Sequence, residues 1–206
     1  MHPTRGYTLR HRMSSHGFVN YLTHAAIAHE VLRRNLSVAL IVEDDAAQSL
    51  PARRGLRPRG LLHAIDSLAQ ASPDFSVMYV GGGQAIHASP TWPEVAHVSV
   101  RGNLSREATF RAFRAPPLKG PATRFSHGYV LSAQGARLWL EKAPHATQQI
   151  DRHHEYLHEQ QSEWAADFVE PPLLCQTHRH AEHMNFSNVL DPDCPRIEGW
   201  LYVEKA

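Results

Sequence analysis

The stretch that decides the fold lies at residues 38–45, which read VALIVEDD. A short unbroken apolar run bounded by polar residues is typical of a strand. Because the run does not alternate with polar residues, it predicts a strand buried on both faces, as in a parallel sheet. The run ends abruptly in three carboxylates, Glu43, Asp44 and Asp45. The segment therefore predicts a buried strand with an acidic group at its carboxyl end.

Helix and strand patterns alternate on both sides of this stretch. Upstream, apolar residues recur at steps of three and four from Gly17 to Leu32, and Asn35 predicts the end of that helix. Downstream, a helix pattern over 61–69 leads to a second apolar strand at 75–80, which stops at three glycines. Two such alternations favour an α/β sheet.

The rest of the chain gives a weaker pattern. It predicts strands at 95–100, 109–113 and 129–131, a helix at 133–142 capped by Ser132, a last helix from 151 or 152 to 166, an arginine-rich polar loop at 49–60 and an irregular tail from 168. We expect a single domain over 1–206, with a poorly defined N-terminal segment at 1–16.

Composition excludes several classes of function. The chain has 206 residues, 42% of them hydrophobic, which is enough for a real core. A formal charge of +1 gives no field that would draw the chain onto nucleic acid or an anionic membrane. No apolar run approaches the ~20 residues that span a bilayer, and no signal-peptide pattern is present. The sequence predicts a soluble, cytoplasmic protein, with its two cysteines as small semi-buried residues.

The acidic triplet is the group that best carries chemistry. In open α/β sheets, ligands bind beyond the carboxyl ends of strands. Adjacent carboxylates repel one another unless a cation offsets their charge, and Mn²⁺ and Mg²⁺ favour carboxylate and phosphate oxygens. The triplet therefore predicts a clamp for a metal–diphosphate. A solvated acidic turn is the alternative interpretation.

Five segments occur in the order and at the spacing of one enzyme family. They are Thr23-His24 followed by 39–46 (ALIVEDDA), 73–81 (PDFSVMYVG), 128–136 (GYVLSAQGA), Ile150-Asp151, and 170–176 (EPPLLCQ). Together they resemble the lipopolysaccharide and collagen galactosyltransferases, glycosyltransferase family 25.

That resemblance implies a fold and a reaction. The fold would be GT-A-like, with a mostly parallel central sheet flanked by helices. The reaction would transfer a sugar, most often galactose in this family, from a UDP-sugar to a saccharide or hydroxylated acceptor, with inversion and with Mn²⁺ or Mg²⁺, as in lipopolysaccharide biosynthesis. Glu43, Asp44 and Asp45 would form the metal and diphosphate motif, Asp44 and Asp45 being the metal ligands. By the same resemblance, His24 and Gly81 would contact the nucleotide sugar.

Asp151 matches the family's acid on the acceptor side, and we expect it to be the general base, because an inverting transfer needs a carboxylate to take the acceptor's proton. A helix N-cap is the alternative for Asp151, and a hydrogen-bonded core residue is the alternative for His24.

The chain departs from the family in three places. Thr23 replaces a serine, Ser76 stands where the family favours aspartate, and the usual first strand is missing before the first helix. Without that strand, the backbone groups that hold the uracil in the family are lost, which predicts weak donor binding, near −4 kcal/mol (roughly millimolar), and slow or absent turnover. The sheet would also have an open edge, which predicts either pairing of that edge in a homodimer or a poorly soluble monomer. A truncated, non-catalytic binding module of the same fold is therefore the second hypothesis.

Residues 154–158 read HEYLH, a literal H-E-x-x-H. On a helix this spacing sets two imidazoles one turn apart, and His178, His180 or His183 would supply a third ligand for zinc. The flanking residues suggest a polar helix, whereas this motif lies on a largely buried helix in zinc peptidases. A zinc metallopeptidase is therefore the third hypothesis.

Overall fold

The structure is a computed structural model that describes residues 15–44, 46–81, 91–101, 107–117, 127–142 and 150–176. Its elements along the chain are α1 (Ser15–Arg33), β1 (Val38–Val42), β2 (Ala46–Gln48), α2 (Leu50–Gly55), α3 (Pro58–Ala71), β3 (Val77–Tyr79), β4 (Glu94–Arg101), β5 (Glu107–Arg114), β6 (Gly128–Ser132), α4 (Ala133–Glu141), α5 (Ile150–Gln160), β7 (Ala166–Glu170) and β8 (Leu174–Gln176).

Six strands form one mixed sheet in the order β1-β6-β3-β7-β5-β4, and β2 pairs with β8 beside it. Only β3 and β7 pair in parallel among the sheet's neighbours, while the other four pairings are antiparallel. The α/β class and the flanking helices are confirmed, but the expectation of a mostly parallel sheet is wrong. The difference comes from β6 and β5, since β6 runs antiparallel between β1 and β3, and β5 runs antiparallel between β7 and β4.

The first strand, β1, has the predicted bounds but a different environment. It lies at one end of the sheet and pairs with β6 alone among the described strands. Ile41 is buried, but Val38 to Leu40 are only partly covered and Val42 is 48% exposed. The prediction of a strand buried on both faces is therefore wrong. The apolar run reflects residues that face helices on either side of the sheet, while the strand's outer edge lacks a described neighbour.

Helices cover both faces of the sheet. On one face, α1, α4 and α5 pack against a cluster that includes Tyr79, Tyr129 and Leu131. On the other face, α3 packs against a cluster that includes Met78 and Val130. Neighbouring residues of one strand therefore belong to opposite clusters, as the period of two in a strand requires. We refer to these as the α5 face and the α3 face.

Local sequence explains where the helices begin and end. Asn35 has a positive φ of 52°, a conformation that asparagine tolerates, and it follows the end of α1 as predicted. The hydroxyl of Ser132 accepts a bond from the Gly135 N–H, which confirms the predicted cap of α4. Ser49 caps α2 in the same way. The stretch predicted as a loop at 49–60 is therefore largely helical.

The C-terminal part of the described chain differs most from expectation. The last helix ends at Gln160 rather than 166, and the tail predicted to be irregular contains β7, a central strand.

Cys175 is buried and disulfide-bonded, whereas we predicted a semi-buried thiol; Cys194 lies outside the described residues. Disulfides are typical of oxidising compartments and rare in the cytosol. The disulfide therefore does not support the predicted cytoplasmic location, which stays a prediction. Within the described ranges, no helix is long and apolar enough to cross a membrane.

Candidate functional site

Residues from distant parts of the chain meet at one edge of the sheet. Because β1 and β3 both run antiparallel to β6, and β7 runs parallel to β3, these three strands point the same way. Their carboxyl ends share an edge, where Glu43 follows β1 and Gly81 follows β3. β6 begins at this edge, preceded by His127. We call it the acidic edge.

His24 connects α1 to this edge. The imidazole is 4% exposed and stacks on the ring of Tyr129, with centroids 5.8 Å apart. Its Nδ1 lies 2.6 Å from the Tyr129 hydroxyl, and its Nε2 lies 3.6 Å from Oε1 of Glu43. His24 therefore has the buried hydrogen bond expected of a core histidine and also lies beside Glu43; its predicted contact with the sugar donor stays a prediction.

The carboxylates of the triplet differ in environment. The backbone N–H of Glu43 donates to the His127 carbonyl at 3.0 Å, and the Glu43 carbonyl accepts from Ala46 at 3.1 Å. The Glu43 side chain is 21% exposed, and Asp44 is exposed. Asp45 lies outside the described residues. The turn thus presents two carboxylates: that of Glu43, whose backbone is held by hydrogen bonds, and that of Asp44, which faces solvent.

This donor set fits a metal that shares its ligands with a substrate. Among the described residues, no group of three or more His, Cys, Asp or Glu side chains is arranged to hold an ion. Mg²⁺ is commonly bound by one or two carboxylates, with substrate phosphates and water completing its coordination. Glu43 and Asp44 supply hard oxygen donors of that kind. The described residues therefore suit a metal–diphosphate better than a closed structural metal site.

Gly81 has a packing reason to be glycine. A Cβ at this position would lie 2.5 Å from Nε2 of the buried His127 and 3.3 Å from the Gly128 nitrogen. The Gly81 N–H also donates to the Gly128 carbonyl at 2.9 Å, and the residue bridges to Leu174. Its predicted contact with a nucleotide sugar is untested, but its position at the acidic edge agrees with that prediction.

The helix that carries the predicted base packs close to the same residues. Asp151 is the second residue of α5, inside the helix rather than at its cap, and its side chain lies outside the described part of the structure. One turn later, Nδ1 of His154 lies 3.2 Å from the Tyr79 hydroxyl. The His154 ring also meets Tyr129 edge to face at 5.0 Å. Tyr129 therefore touches both His24 and the helix of Asp151.

The H-E-x-x-H stretch forms one side of α5, and this side faces the core. His154, Glu155 and His158 are all buried, so the prediction of a polar helix is wrong. Nε2 of His158 lies 2.8 Å from the Pro116 carbonyl oxygen. In both histidines of the motif, one ring nitrogen therefore has a partner within the protein: Pro116 for His158 and Tyr79 for His154. The predicted third ligands, His178, His180 and His183, lie outside the described residues.

Burial keeps three histidines of α5 neutral. The pKa of His153 falls to about 4 because the ring is desolvated, although a bond with the Trp139 backbone opposes this. The pKa of His154 is well below its ordinary value, first by burial and then by repulsion from His153 and His24. Burial also lowers the pKa of His158. These rings are built into the core as uncharged groups.

Sequence reasoning missed the roles of His127 and Tyr129. Tyr129 lies in a predicted strand with nothing in the sequence to mark it, and its hydroxyl bonds His24 across 105 residues of sequence. The carbonyl of His127 holds Glu43, and its ring packs on Gly81. Both roles depend on the antiparallel register that pairs Ile41 with Tyr129 and makes β6 begin beside Glu43, and no local sequence signal contains that register.

Comparison with known proteins adds no family. No protein-family model and no curated protein matches this chain. The glycosyltransferase interpretation therefore depends on the five sequence segments and on the positions of their residues.

Proposed function

We propose that the protein is a metal-dependent glycosyltransferase that moves a hexose from a UDP-sugar to a saccharide or hydroxylated acceptor with inversion. The observation that carries the proposal is the meeting of His24, Glu43, Asp44 and Gly81 at the acidic edge. They come from two of the five segments of the family resemblance, the one at 23–46 and the one at 73–81.

Each residue has a role that follows from its chemistry. Glu43 and Asp44, with Asp45, hold the metal–diphosphate through carboxylate oxygens. A bound Mn²⁺ or Mg²⁺ neutralises negative charge on the departing nucleoside diphosphate. Asp151 takes the proton of the acceptor hydroxyl as that oxygen bonds to the anomeric carbon and the bond to UDP breaks. UDP leaves on the face of the sugar opposite to attack, which inverts the anomeric carbon.

Calorimetric titration of UDP with and without Mn²⁺ tests the donor site. We expect binding that requires the metal, and binding at least about tenfold weaker in Asp44→Asn and Asp45→Asn, because one charged oxygen ligand is lost. Asp74→Asn is the matched control, since Asp74 is an exposed aspartate in the turn that precedes β3. Binding of UDP that needs no metal and is unchanged in both variants would contradict the proposal.

Hydrolysis of the UDP-sugar separates an enzyme from a binding module of the same fold. We expect slow release of UDP from UDP-galactose in the presence of Mn²⁺, and loss of this release in Asp151→Asn with donor binding retained. Metal-dependent binding without turnover in either protein would favour the non-catalytic module.

A further inference from the structure

The buried ring of His24 has little access to a ligand. It is 4% exposed, and the aromatic ring of Tyr129 covers one of its faces at an interplanar angle of 21°. One nitrogen lies at hydrogen-bond distance from Tyr129, and the other faces Glu43. A side chain enclosed in this way acts through its neighbours rather than by contact with a sugar nucleotide.

The two neighbours of the ring determine which nitrogen carries the proton. In a neutral imidazole one nitrogen is a donor and the other an acceptor. If Nδ1 carried the proton, the lone pair of Nε2 would face the Glu43 carboxylate, which is electrostatically unfavourable. If the Tyr129 hydroxyl donates to Nδ1, then Nε2–H faces Oε1 of Glu43. The carboxylate therefore favours the second arrangement, and Tyr129 holds it in place.

The Glu43 backbone is fixed by its bonds to His127 and Ala46. Nε2 of His24 lies 3.6 Å from Oε1 of that carboxylate, slightly beyond hydrogen-bond distance, so an Nε2–H would point toward it. The neighbouring Asp44 is exposed. Glu43 is thus the carboxylate of the turn whose orientation a buried group can control.

We propose that His24 is a positioning residue, which uses the Tyr129 hydroxyl to fix its tautomer and its Nε2–H to direct Glu43 toward the metal–diphosphate. This inference rests on the proposed function, and it replaces the expected donor contact of His24. It assigns to Tyr129 a role in orienting the site, in addition to its place in the core.

Imidazole ¹⁵N chemical shifts test the arrangement without any ligand. We expect Nε2 of His24 to be protonated in the wild-type protein, and a mixture of tautomers in Tyr129→Phe, where the donor to Nδ1 is removed. A wild-type ring protonated on Nδ1 alone would overturn the inference. This result does not depend on whether the protein binds UDP.

A double-mutant cycle tests the consequence for binding. We expect His24→Phe, which keeps the stacked ring, to weaken Mn²⁺-dependent UDP binding by about fivefold, the scale of one hydrogen bond. The same change should have no further effect in Glu43→Gln, because its effect passes through Glu43. Equal losses in both backgrounds would mean that His24 acts independently of Glu43, and the inference would be wrong.

Two conservative variants and one control complete the design. His24→Gln retains an amide N–H near the position of Nε2 and should recover most of the affinity, whereas the shorter His24→Asn should not. His29→Phe, at an exposed position of the same helix, should bind as the wild type does. Absence of metal-dependent UDP binding in the wild type would defeat the proposed function, and the tautomer would still decide the arrangement. Metal-dependent UDP binding by the wild type, together with additive effects of His24→Phe and Glu43→Gln, would contradict this inference and leave the proposed function intact.

Discussion

The two faces of the sheet bury polar groups in different ways. On the α3 face, Asp167 is fully buried and is paired with the Arg114 guanidinium and the Ser72 hydroxyl, the latter at 2.8 Å. On the α5 face, the buried polar groups include imidazoles, such as His24 and His154, that contact tyrosine hydroxyls. One face balances a charge with a charge, and the other contains rings, such as that of His154, whose pKa is lowered by burial.

This difference separates a structural carboxylate from a candidate functional one. Burial raises the pKa of Asp167, while hydrogen bonds from Arg114 and Ser72 lower it in opposition. Asp167 therefore has its partners inside the protein and no exposed surface. Glu43 lies beside the imidazole of His24 and remains partly exposed. A ligand can reach Glu43, whereas Asp167 serves stability alone.

Acidification should have the largest effect, and it should act through the α5 face. The pKa of His153 is lowered to about 4, and the pKa values of His154 and His158 are also lowered. Below about pH 6.5 the unfolded chain takes up protons that the folded chain does not bind. Stability that is present above pH 6.5 is therefore lost as the pH falls toward 4. For His153 alone, the loss is about 2 kcal/mol between pH 7 and pH 5, and His154 and His158 add to it in the same direction.

Urea unfolding at pH 7, 6 and 5 measures this slope. His153→Phe should reduce the loss of stability between pH 7 and pH 5 by about 2 kcal/mol, since the titration of that ring is removed. His29→Phe is the control and should leave the slope unchanged, because His29 is exposed. A free energy of unfolding that stays constant from pH 7 to pH 5 would show that these rings are solvated or charged in the folded protein.

Removal of the cation on the α3 face should have the next largest effect. Arg114→Met leaves Asp167 buried without its partner and should cost about 3 kcal/mol at pH 8. The raised pKa of Asp167 means that its proton is bound more readily in the folded state, so the deficit should shrink at pH 5.5. Arg111→Met, on the same strand, is the matched control, since Arg111 is 48% exposed and lies 3.9 Å from Glu94. A similar loss in both variants would refute a special role for the buried pair.

Removal of the Ser72 hydroxyl, the uncharged partner of Asp167 on the α3 face, should have the smallest effect on stability. Ser72→Ala removes one hydroxyl donor to Asp167 and leaves the Arg114 pair intact, so we expect a loss of about 1 kcal/mol by chemical unfolding. Ser99→Ala breaks an exposed hydroxyl contact with Thr109 and should change stability by less than about 0.5 kcal/mol. A loss in Ser72→Ala as large as that in Arg114→Met would indicate that charge pairing contributes little on this face.

The same contrast explains which parts of the molecule could be predicted from sequence. Short-range signals were sufficient for α1, for the bounds of β1 and for the Ser132 cap. β7 was missed because Asp167 interrupts its apolar pattern, and the partners that make this aspartate tolerable in the core, Arg114 and Ser72, are 53 and 95 residues away. Strand direction was also missed, because a short apolar run does not show whether its neighbour is parallel.

The candidate site was predicted in part for a related reason. Glu43 and Asp44 stand out because charges follow an apolar run, and His24 was found through the family resemblance. Tyr129 resembles any core tyrosine in sequence, and its contact with His24 depends on the pairing of β6 with β1. No local pattern contains that information.

The central position of β6 has a consequence for how the chain acquires its site. β6 lies between β1 and β3, although both of those strands precede it in sequence. His24 and Tyr129 are 105 residues apart, and contacts at such separation form late in folding because a long loop must close first. A nascent chain that ends before residue 128 carries His24 and Glu43 but lacks the strand that joins them. Competence to bind a ligand should therefore develop only when β6 has paired with β1 and β3.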